Sequence, residues 1–315
     1  MSTTQFEPRW CLVVLAGGDS AERAVSLRSG AAVAAALISA GHRARLIDPA
    51  EFPVGTVDWS GVDACFIALH GGAGEDGRVQ QELQTLGVPY TGSSPRACRL
   101  AMSKSASKER FLACDVPTPP FVLIVADDTA DHFAERVAPL GYPLIIKPDG
   151  QGSSIGLSIV EHPCDLARAI ELARRDDPTC IAEAFVRGRE FTVAVLDNRA
   201  LPPIEIVTPE RVFSYEAKYS SSLTEYRFDF DLADGQRAAL LHAAVAACEA
   251  LGTSALVRVD AMLDDDGRVW VLEVNTIPGL TQRSLAPRAA ARAGLDMAAL
   301  CELLVRQCLA TSEVP

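Results

Sequence analysis

Two carboxylates and an amide near the end of the chain are spaced to hold a cation. The segment LVRVDAMLDDDGRVWVLEVN carries Asp266-Gly267 between two apolar runs, which predicts a hairpin with a two-residue type I′ turn. With Asp265 facing Arg268, Asp260 falls opposite Glu273 and Arg258 opposite Asn275, all on one face because strand side chains alternate with period two. The other face then carries Val259, Ala261, Leu263, Trp270, Leu272 and Val274, a set suited to a core. Opposed carboxylates have Cβ atoms about 5 Å apart and repel. A cation removes that penalty, and oxygen ligands suit Mg²⁺, which keeps waters and phosphate oxygens as its other ligands. A polar face on which Arg258 neutralises the pair accounts for the same pattern, and the pattern alone leaves both readings open.

Other residues also carry a chemical and a plain structural reading. Lys147 ends the apolar run PLIIK and precedes DGQGSSIG, where backbone N–H groups, Ser153 and Ser154 could cradle phosphate beside a lysine charge. A flexible turn explains the same composition, and the loop is not a Walker A motif. His70 ends CFIALH and, with the Gly17-Gly18 turn, points to a crevice at the carboxyl ends of strands. A structural histidine is the alternative. Glu22, three residues after Asp19, is either a capping-box partner or a carboxylate for an ammonium group. Lys218 and Tyr219 lie in the polar segment SYEAKYSSSLTEY, which reads as a mobile loop or as ordinary tyrosine packing.

The elements that must position these residues follow from hydrophobic periodicity. WCLVVLAGG, RARLID and ACFIALH read as strands, and SAERAVSLRSGAAVAAALISAG and GRVQQELQTLG as helices. That βαβ rhythm predicts a parallel sheet covered by helices. From about residue 93 the pattern changes. MSKSASKERFLACD is helical and VPTPP breaks it; PLIIKPDGQGSSIGLSIV reads as strand, loop, strand. A helix (DLARAIELARRDD), two strands (CIAEAFV, EFTVAVL), a long helix from Gly235 to Leu251, the hairpin and a C-terminal helix complete the chain.

With 315 residues the chain is long enough for two or three domains. A net charge of −12 without a basic stripe argues against nucleic acid as partner. Nine dispersed cysteines with no C-x-x-C pair point to free thiols in a reducing cytoplasm. The sequence shows neither a signal-peptide pattern nor an apolar run long enough to span a membrane.

Taken in order, LAGGDSAERAVSLRSG, FIALHGGAGEDGRVQ, VPYTGSS, MSKSASK, IIKPDGQGSSIG, EFTVAV, YEAKY, RVDAML and LEVNTIPGLTQRSL resemble the D-alanine–D-alanine ligase family across nearly the whole chain. The resemblance implies an α/β (α+β) ATP-grasp fold of three domains. These are a Rossmann-like domain over 1–92 with a parallel sheet, a central lid domain over 93–184 and a C-terminal catalytic domain over 185–315. ATP is expected between the latter two, and the amino acids where they meet the first.

It also implies roles. Lys104 and Lys147 would contact the ATP phosphates, under a lid carrying Ser153 and Ser154, and Lys218 would be a further nucleotide-binding residue. Glu183 and the Phe185-Val186 backbone would hold adenine, and Glu190 the ribose. Asp260, Glu273 and Asn275 would bind two Mg²⁺, which Mn²⁺ could replace. Glu22, with Val25 and His70 nearby, would hold the first D-alanine. Arg258 and the Gly279 backbone would stabilise a tetrahedral oxyanion. Ser284 and Leu285 would receive the carboxylate of the second D-alanine, and Tyr219 would join Glu22 and Ser153 in closing a loop.

The expected reaction passes through an acyl phosphate to D-alanyl-D-alanine for peptidoglycan precursors, in a homodimer. Four positions depart from the family pattern: Ser103, Ala184, Arg283 and the missing proline after Tyr226. The Lys218-Tyr219 pair favours an amine over a D-lactate acceptor, and the intact Lys147, Arg258, Asp260, Glu273 and Asn275 argue against a non-catalytic nucleotide sensor.

Overall fold

Short apolar strands alternating with helices produce the expected parallel sheet in a computed structural model, which describes residues 10–128, 130–209 and 223–312. The chain forms two compact units, one built from 1–95 with 277–315 and one from 96–276.

In the first unit, β1 (Cys11–Leu15) pairs in parallel with β2 (Arg43–Ile47) and β3 (Ala64–Ile67), in the order β2-β1-β3. Strand β1 is central, so four of its five residues are buried. Helix α1 (Arg23–Ser39) lies close to the sheet because its inward residues are small: a Cβ on Gly30 would fall 2.2 Å from that of Ala16. Helix α2 (Arg78–Thr85) contributes Val79 and Leu83 to a core with Val13, Leu15, Cys65 and Ile67. Ile277 joins the same core, which is why the last segment belongs to this unit.

The second unit begins with α3 (Pro95–Met102), which the sequence pattern did not predict, and α4 (Lys104–Ala113). Strands β4 (Phe121–Ile124), β5 (Leu144–Pro148), β6 (Ser158–Val160) and β7 (Cys180–Ala184) form an antiparallel sheet in the order β4-β7-β5-β6. Helices α5 (Ala130–Val137) and α6 (Leu166–Ala173) supply Phe133, Leu166 and Ile170 to its core.

A larger antiparallel sheet holds β8 (Gly188–Leu196), β9 (Arg199–Ala200), β10 (Ile204–Val207), β11 (Glu225–Arg227), β12 (Leu256–Asp264) and β13 (Val269–Asn275). Its order is β11-β10-β8-β12-β13, with β9 paired to β8. Helix α7 (Asp234–Leu251) lays Leu240, Ala244 and Ala247 on the apolar face of this sheet, where Phe111 and Phe191 are fully buried. Each such aromatic contributes roughly 1.5–3 kcal/mol by leaving water. Helices α8 (Leu285–Arg292) and α9 (Met297–Ser312) end the chain in the first unit. All nine cysteines are free thiols. No helix among the described residues is long and apolar enough to cross a membrane.

Candidate functional site

Strand register brings the charged residues of the second unit together. Glu183 on β7 lies opposite Ile145 on β5, so Lys147, two residues further along β5, emerges on the same face. Its Nζ is 3.1 Å from Oε1 of Glu183. Lys108 reaches the other oxygen from α4, with Nζ 2.5 Å from Oε2. Burial pushes the Lys108 ammonium down to about 8, with Glu183 opposing the shift. Burial works to raise the pKa of Glu183, but Lys108 and Lys147 prevail and hold it below the usual carboxylate range.

Beside this cluster opens a pocket lined entirely by residues of the second unit. Ile145, Phe185, Met262 and Leu272 make apolar walls; Lys104, Lys147 and Ser154 provide polar groups; Glu183, Glu190, Asp260 and Glu273 bring carboxylates. Val186 and Ala184 also line it. An apolar slot with acceptors, two lysines and an acidic pair suits a flat base, a sugar diol, a polyphosphate and a cation respectively.

The glycine–serine loop is tied to α4. Ser103 caps that helix, its Oγ accepting from Ala106 N at 3.2 Å and donating to Asp149 Oδ2 at 2.7 Å. Ser105 N donates to Asp149 Oδ1 at 2.7 Å, and Lys104 Nζ donates to the carbonyl of Gln151. Ser103, where the family commonly has aspartate, thus serves both the helix and the loop. Ser153 and Ser154 have φ of 51° and 57°, a left-handed conformation unusual for side-chain-bearing residues. Consecutive residues in such a loop turn their N–H groups toward one concavity.

The hairpin pairs Asp260 with Glu273 and Arg258 with Asn275, as the sequence predicts. The route differs. The turn has three residues rather than two: Asp264 N donates to Arg268 O and Gly267, at φ 81°, donates its N–H to Asp264 O. The Asp264 side chain favours this form, accepting from Asp266 N, Arg268 N and Trp270 Nε1 at 2.8–3.0 Å. Ala261 consequently faces Val271, and the register shifts back between Asp260 and Ala261, leaving Leu272 as an extra residue. The core face therefore carries Val259, Ala261, Leu263, Val269, Val271 and Val274. Trp270 and Leu272, expected there, are only half-buried, and Leu272 lines the pocket beside Glu273.

Asp260 is 4% exposed. Arg258 grips it through Nε and Nη2, both at 2.9 Å, and Thr192 Oγ1 donates to it at 2.6 Å. Arg258 thus neutralises Asp260 without excluding a metal, because a carboxylate offers about four acceptor positions. Among the described residues no three His, Cys, Asp or Glu side chains gather to hold an ion. Two carboxylates and the Asn275 amide nevertheless fit a hard divalent cation that draws its other ligands from water and phosphate.

The first unit carries the remaining candidates. Glu22 itself occupies the N-cap position of α1, not the third helical position a capping box with Asp19 would need, and its side chain does not cap the helix. It is buried, and a Cβ on Gly71 would lie 2.8 Å from its Oε2. Val25, in the first turn of α1, is half-buried, and its N–H donates to Glu22 O at 2.9 Å. His70 Nε2 lies 2.8 Å from Ser29 Oγ and its Nδ1 3.1 Å from Ile277 O. A carbonyl oxygen only accepts, so Nδ1 carries a proton and donates to Ile277 O, while Ser29 Oγ accepts from Leu280 N at 3.2 Å and bonds Nε2. His70 and Ser29 therefore fasten the segment 277–280, which contains Gly279.

A Cβ on Gly279 would come 2.8 Å from Ser284 Oγ, and that hydroxyl accepts from Thr281 N at 3.1 Å. Ser284 is the N-cap of α8 and Leu285 its first residue, a helix end whose N–H groups favour a carboxylate. Arg283 beside them is exposed.

The structure thus gathers Lys104, Lys147, Ser154, Glu183, Phe185, Val186, Glu190, Asp260 and Glu273 about one pocket. Ser153 sits in the loop beside Ser154, and Arg258 and Asn275 flank the acidic pair. Lys218 and Tyr219 lie outside the described residues. Lys108 was missed by sequence reasoning. Its spacing from Lys104, one helical turn away in MSKSASK, is the signal that could have found it.

The family description D-ala D-ala ligase N-terminus matches residues 55–93, and D-ala D-ala ligase C-terminus matches 111–306. The chain is 42% identical over 300 residues to the D-alanine–D-alanine ligase of Acinetobacter baylyi, covering 95% of this chain and 96% of that protein. It is 44% identical over 285 residues to that of Stutzerimonas stutzeri, covering 90% of each. Among solved structures, the D-alanine–D-alanine ligase of Bacillus anthracis complexed with ATP matches with a TM-score of 0.84 at 29% identity, covering 96% of this chain and 99% of that one.

Proposed function

The chain belongs to the D-alanine–D-alanine ligase family, has its ATP-grasp fold, and on that premise we propose that it uses ATP to join two D-alanines into D-alanyl-D-alanine for peptidoglycan precursors. The observation that carries the proposal is the pocket of the second unit, where an apolar slot, two lysines and an opposed carboxylate pair meet.

Lys104, Lys147 and Lys218 would neutralise phosphate charge, while the turn at Ser153 and Ser154 would cover the phosphates. Glu183 and the backbone of Phe185 and Val186 would receive adenine, and Glu190 the ribose hydroxyls. Mg²⁺ held by Asp260, Glu273 and Asn275 would supply charge for the phosphates and orient them. Glu22 would bind the ammonium of the first D-alanine, with Val25 and His70 shaping its surroundings. The carboxylate of that D-alanine attacks the γ-phosphorus, giving an acyl phosphate and ADP. The amine of the second D-alanine, its carboxylate held at Ser284 and Leu285, attacks the acyl carbon. Arg258 and the Gly279 N–H would stabilise the oxyanion before phosphate leaves. Tyr219 would help close the site, since an acyl phosphate must be kept from water. The three-domain division at 92 and 184, a cytoplasmic location and a homodimer belong to the same reading.

The test is phosphate release from ATP and Mg²⁺ with D-alanine, with L-alanine, and with D-alanine plus D-lactate, the products being identified by mass. Turnover with D-alanine giving D-alanyl-D-alanine is the expected result. A depsipeptide as main product, or ATP binding without turnover on any amino acid, would overturn it.

A further inference from the structure

Lys108 is fully buried and does not line the pocket, whereas its neighbours Lys147 and Glu183 do. It stands behind the wall. Its Nζ is 2.5 Å from Glu183 Oε2 and donates to Thr118 Oγ1 at 2.6 Å; that hydroxyl in turn donates to Val271 O at 2.8 Å on β13. The ammonium is therefore anchored on two sides, and it anchors one oxygen of Glu183. Lys147 holds the other oxygen at 3.1 Å.

Two ammonium groups thus face one carboxylate. If Lys108 answers the charge of Glu183, Lys147 keeps a positive charge for a ligand. Without Lys108, Glu183 and Lys147 would form a neutral pair, and this wall would offer a polyphosphate no net attraction. The ionised state matters too, because a carboxylate only accepts hydrogen bonds, whereas a carboxylic acid also donates. Adenine presents an exocyclic amino donor at C6, whereas hypoxanthine presents a carbonyl acceptor there. Only an ionised, fixed Glu183 distinguishes the two strongly.

We propose that Lys108 is a positioning residue for the nucleotide: from behind the pocket wall it fixes Glu183 as an acceptor for the adenine amino group and leaves the charge of Lys147 to the phosphates. This inference rests on the reading of the pocket as an ATP site. Lys108 acts through Glu183 and Lys147 without touching the nucleotide. Its four-carbon stem and compact charge suit a narrow buried seat that the wider guanidinium would fit imperfectly.

The experiment compares wild type, Lys108→Met and Lys108→Arg in steady-state kinetics with ATP and with ITP at saturating D-alanine and Mg²⁺. Lys108→Met is expected to raise KM for ATP at least tenfold, to lower kcat less than threefold and to leave KM for D-alanine unchanged. The ratio of kcat/KM for ATP over ITP falls at least fivefold, and Lys108→Arg recovers part of both effects. If Lys108→Met does not fold, Lys108→Gln keeps a hydrogen-bond donor behind Glu183 without the charge and leaves Glu183 and Lys147 in place. That variant must show the same loss of preference for ATP. A variant with a lowered melting temperature but unchanged KM for ATP and unchanged ATP/ITP ratio makes Lys108 merely structural and overturns the proposal. A wild type that uses ATP and ITP equally overturns it as well. A wild type with no ATP-dependent turnover of D-alanine fails before any variant is compared, and so rejects the underlying reading separately.

Discussion

Asp260 stands directly opposite Glu273 across β12 and β13, and Leu272 is the extra residue that brings them level. The bulge also turns Leu272 and Glu273 toward the same pocket. Arg258 holds both oxygens of Asp260, so that member of the pair is neutralised within the fold.

Glu273→Gln should therefore leave the fold intact while removing most turnover, by at least a hundredfold in kcat, because the amide cannot supply the missing negative ligand. Its Mg²⁺ requirement should rise to higher concentration. Steady-state rates across a Mg²⁺ titration, with circular dichroism as the fold control, check this. Rates near wild type would remove the hairpin from the metal site.

Gly71 sits at φ 67° against the Glu22 carboxylate. At φ 67° and ψ 171° the backbone lies in a region that is essentially glycine's alone, so Gly71→Ala imposes strain on the order of 1–3 kcal/mol and forces a Cβ against Oε2. KM for D-alanine should rise about tenfold, and KM for ATP should not move. Equal rises in both would show that the damage is general and not confined to Glu22.

How much of this was legible is best seen at the hairpin. The sequence reading reached the pairing of Asp260 with Glu273 through a two-residue turn that the chain does not make. A longer turn and a compensating bulge restored the register at those residues alone, so Trp270 and Leu272 were assigned to the wrong face. The turn was decided by the Asp264 side chain, a local competition that apolar alternation does not record. The parallel sheet was legible because buried central strands are continuous apolar runs. Helix α3 was not, since RACRLAM lies between a turn and another helix start and has no long apolar period. Lys108 escaped because a lysine on a helix is ordinarily solvated, and only its partner Glu183, 75 positions on, makes its burial stable.

Ser29 links Leu280 N–H to His70 Nε2, and His70 Nδ1–H reaches Ile277 O. Ser29→Ala breaks that chain in a buried setting and should destabilise the protein by about 1–3 kcal/mol. Because the tethered segment contains Gly279, kcat/KM for D-alanine should fall more than that for ATP. Thermal melting and initial rates check the two parts, and a stability loss with unchanged kinetics would confine the chain to a structural role.

Lys108 has a pKa of about 8 in the folded chain, against 10.5 for an ordinary lysine. Between those values the unfolded chain binds more protons than the folded one, so this group makes stability rise with pH across that window. Below about pH 8 the buried charge is a constant cost, on the order of 3 kcal/mol. Lys108→Met removes the titration. The difference in unfolding free energy between wild type and Lys108→Met, measured in urea at several pH values, should be flat below about pH 8 and shift in favour of wild type from there toward 10.5. A difference that stays flat throughout would mean that Lys108 keeps its proton over the whole range, held by Glu183 more firmly than burial opposes it.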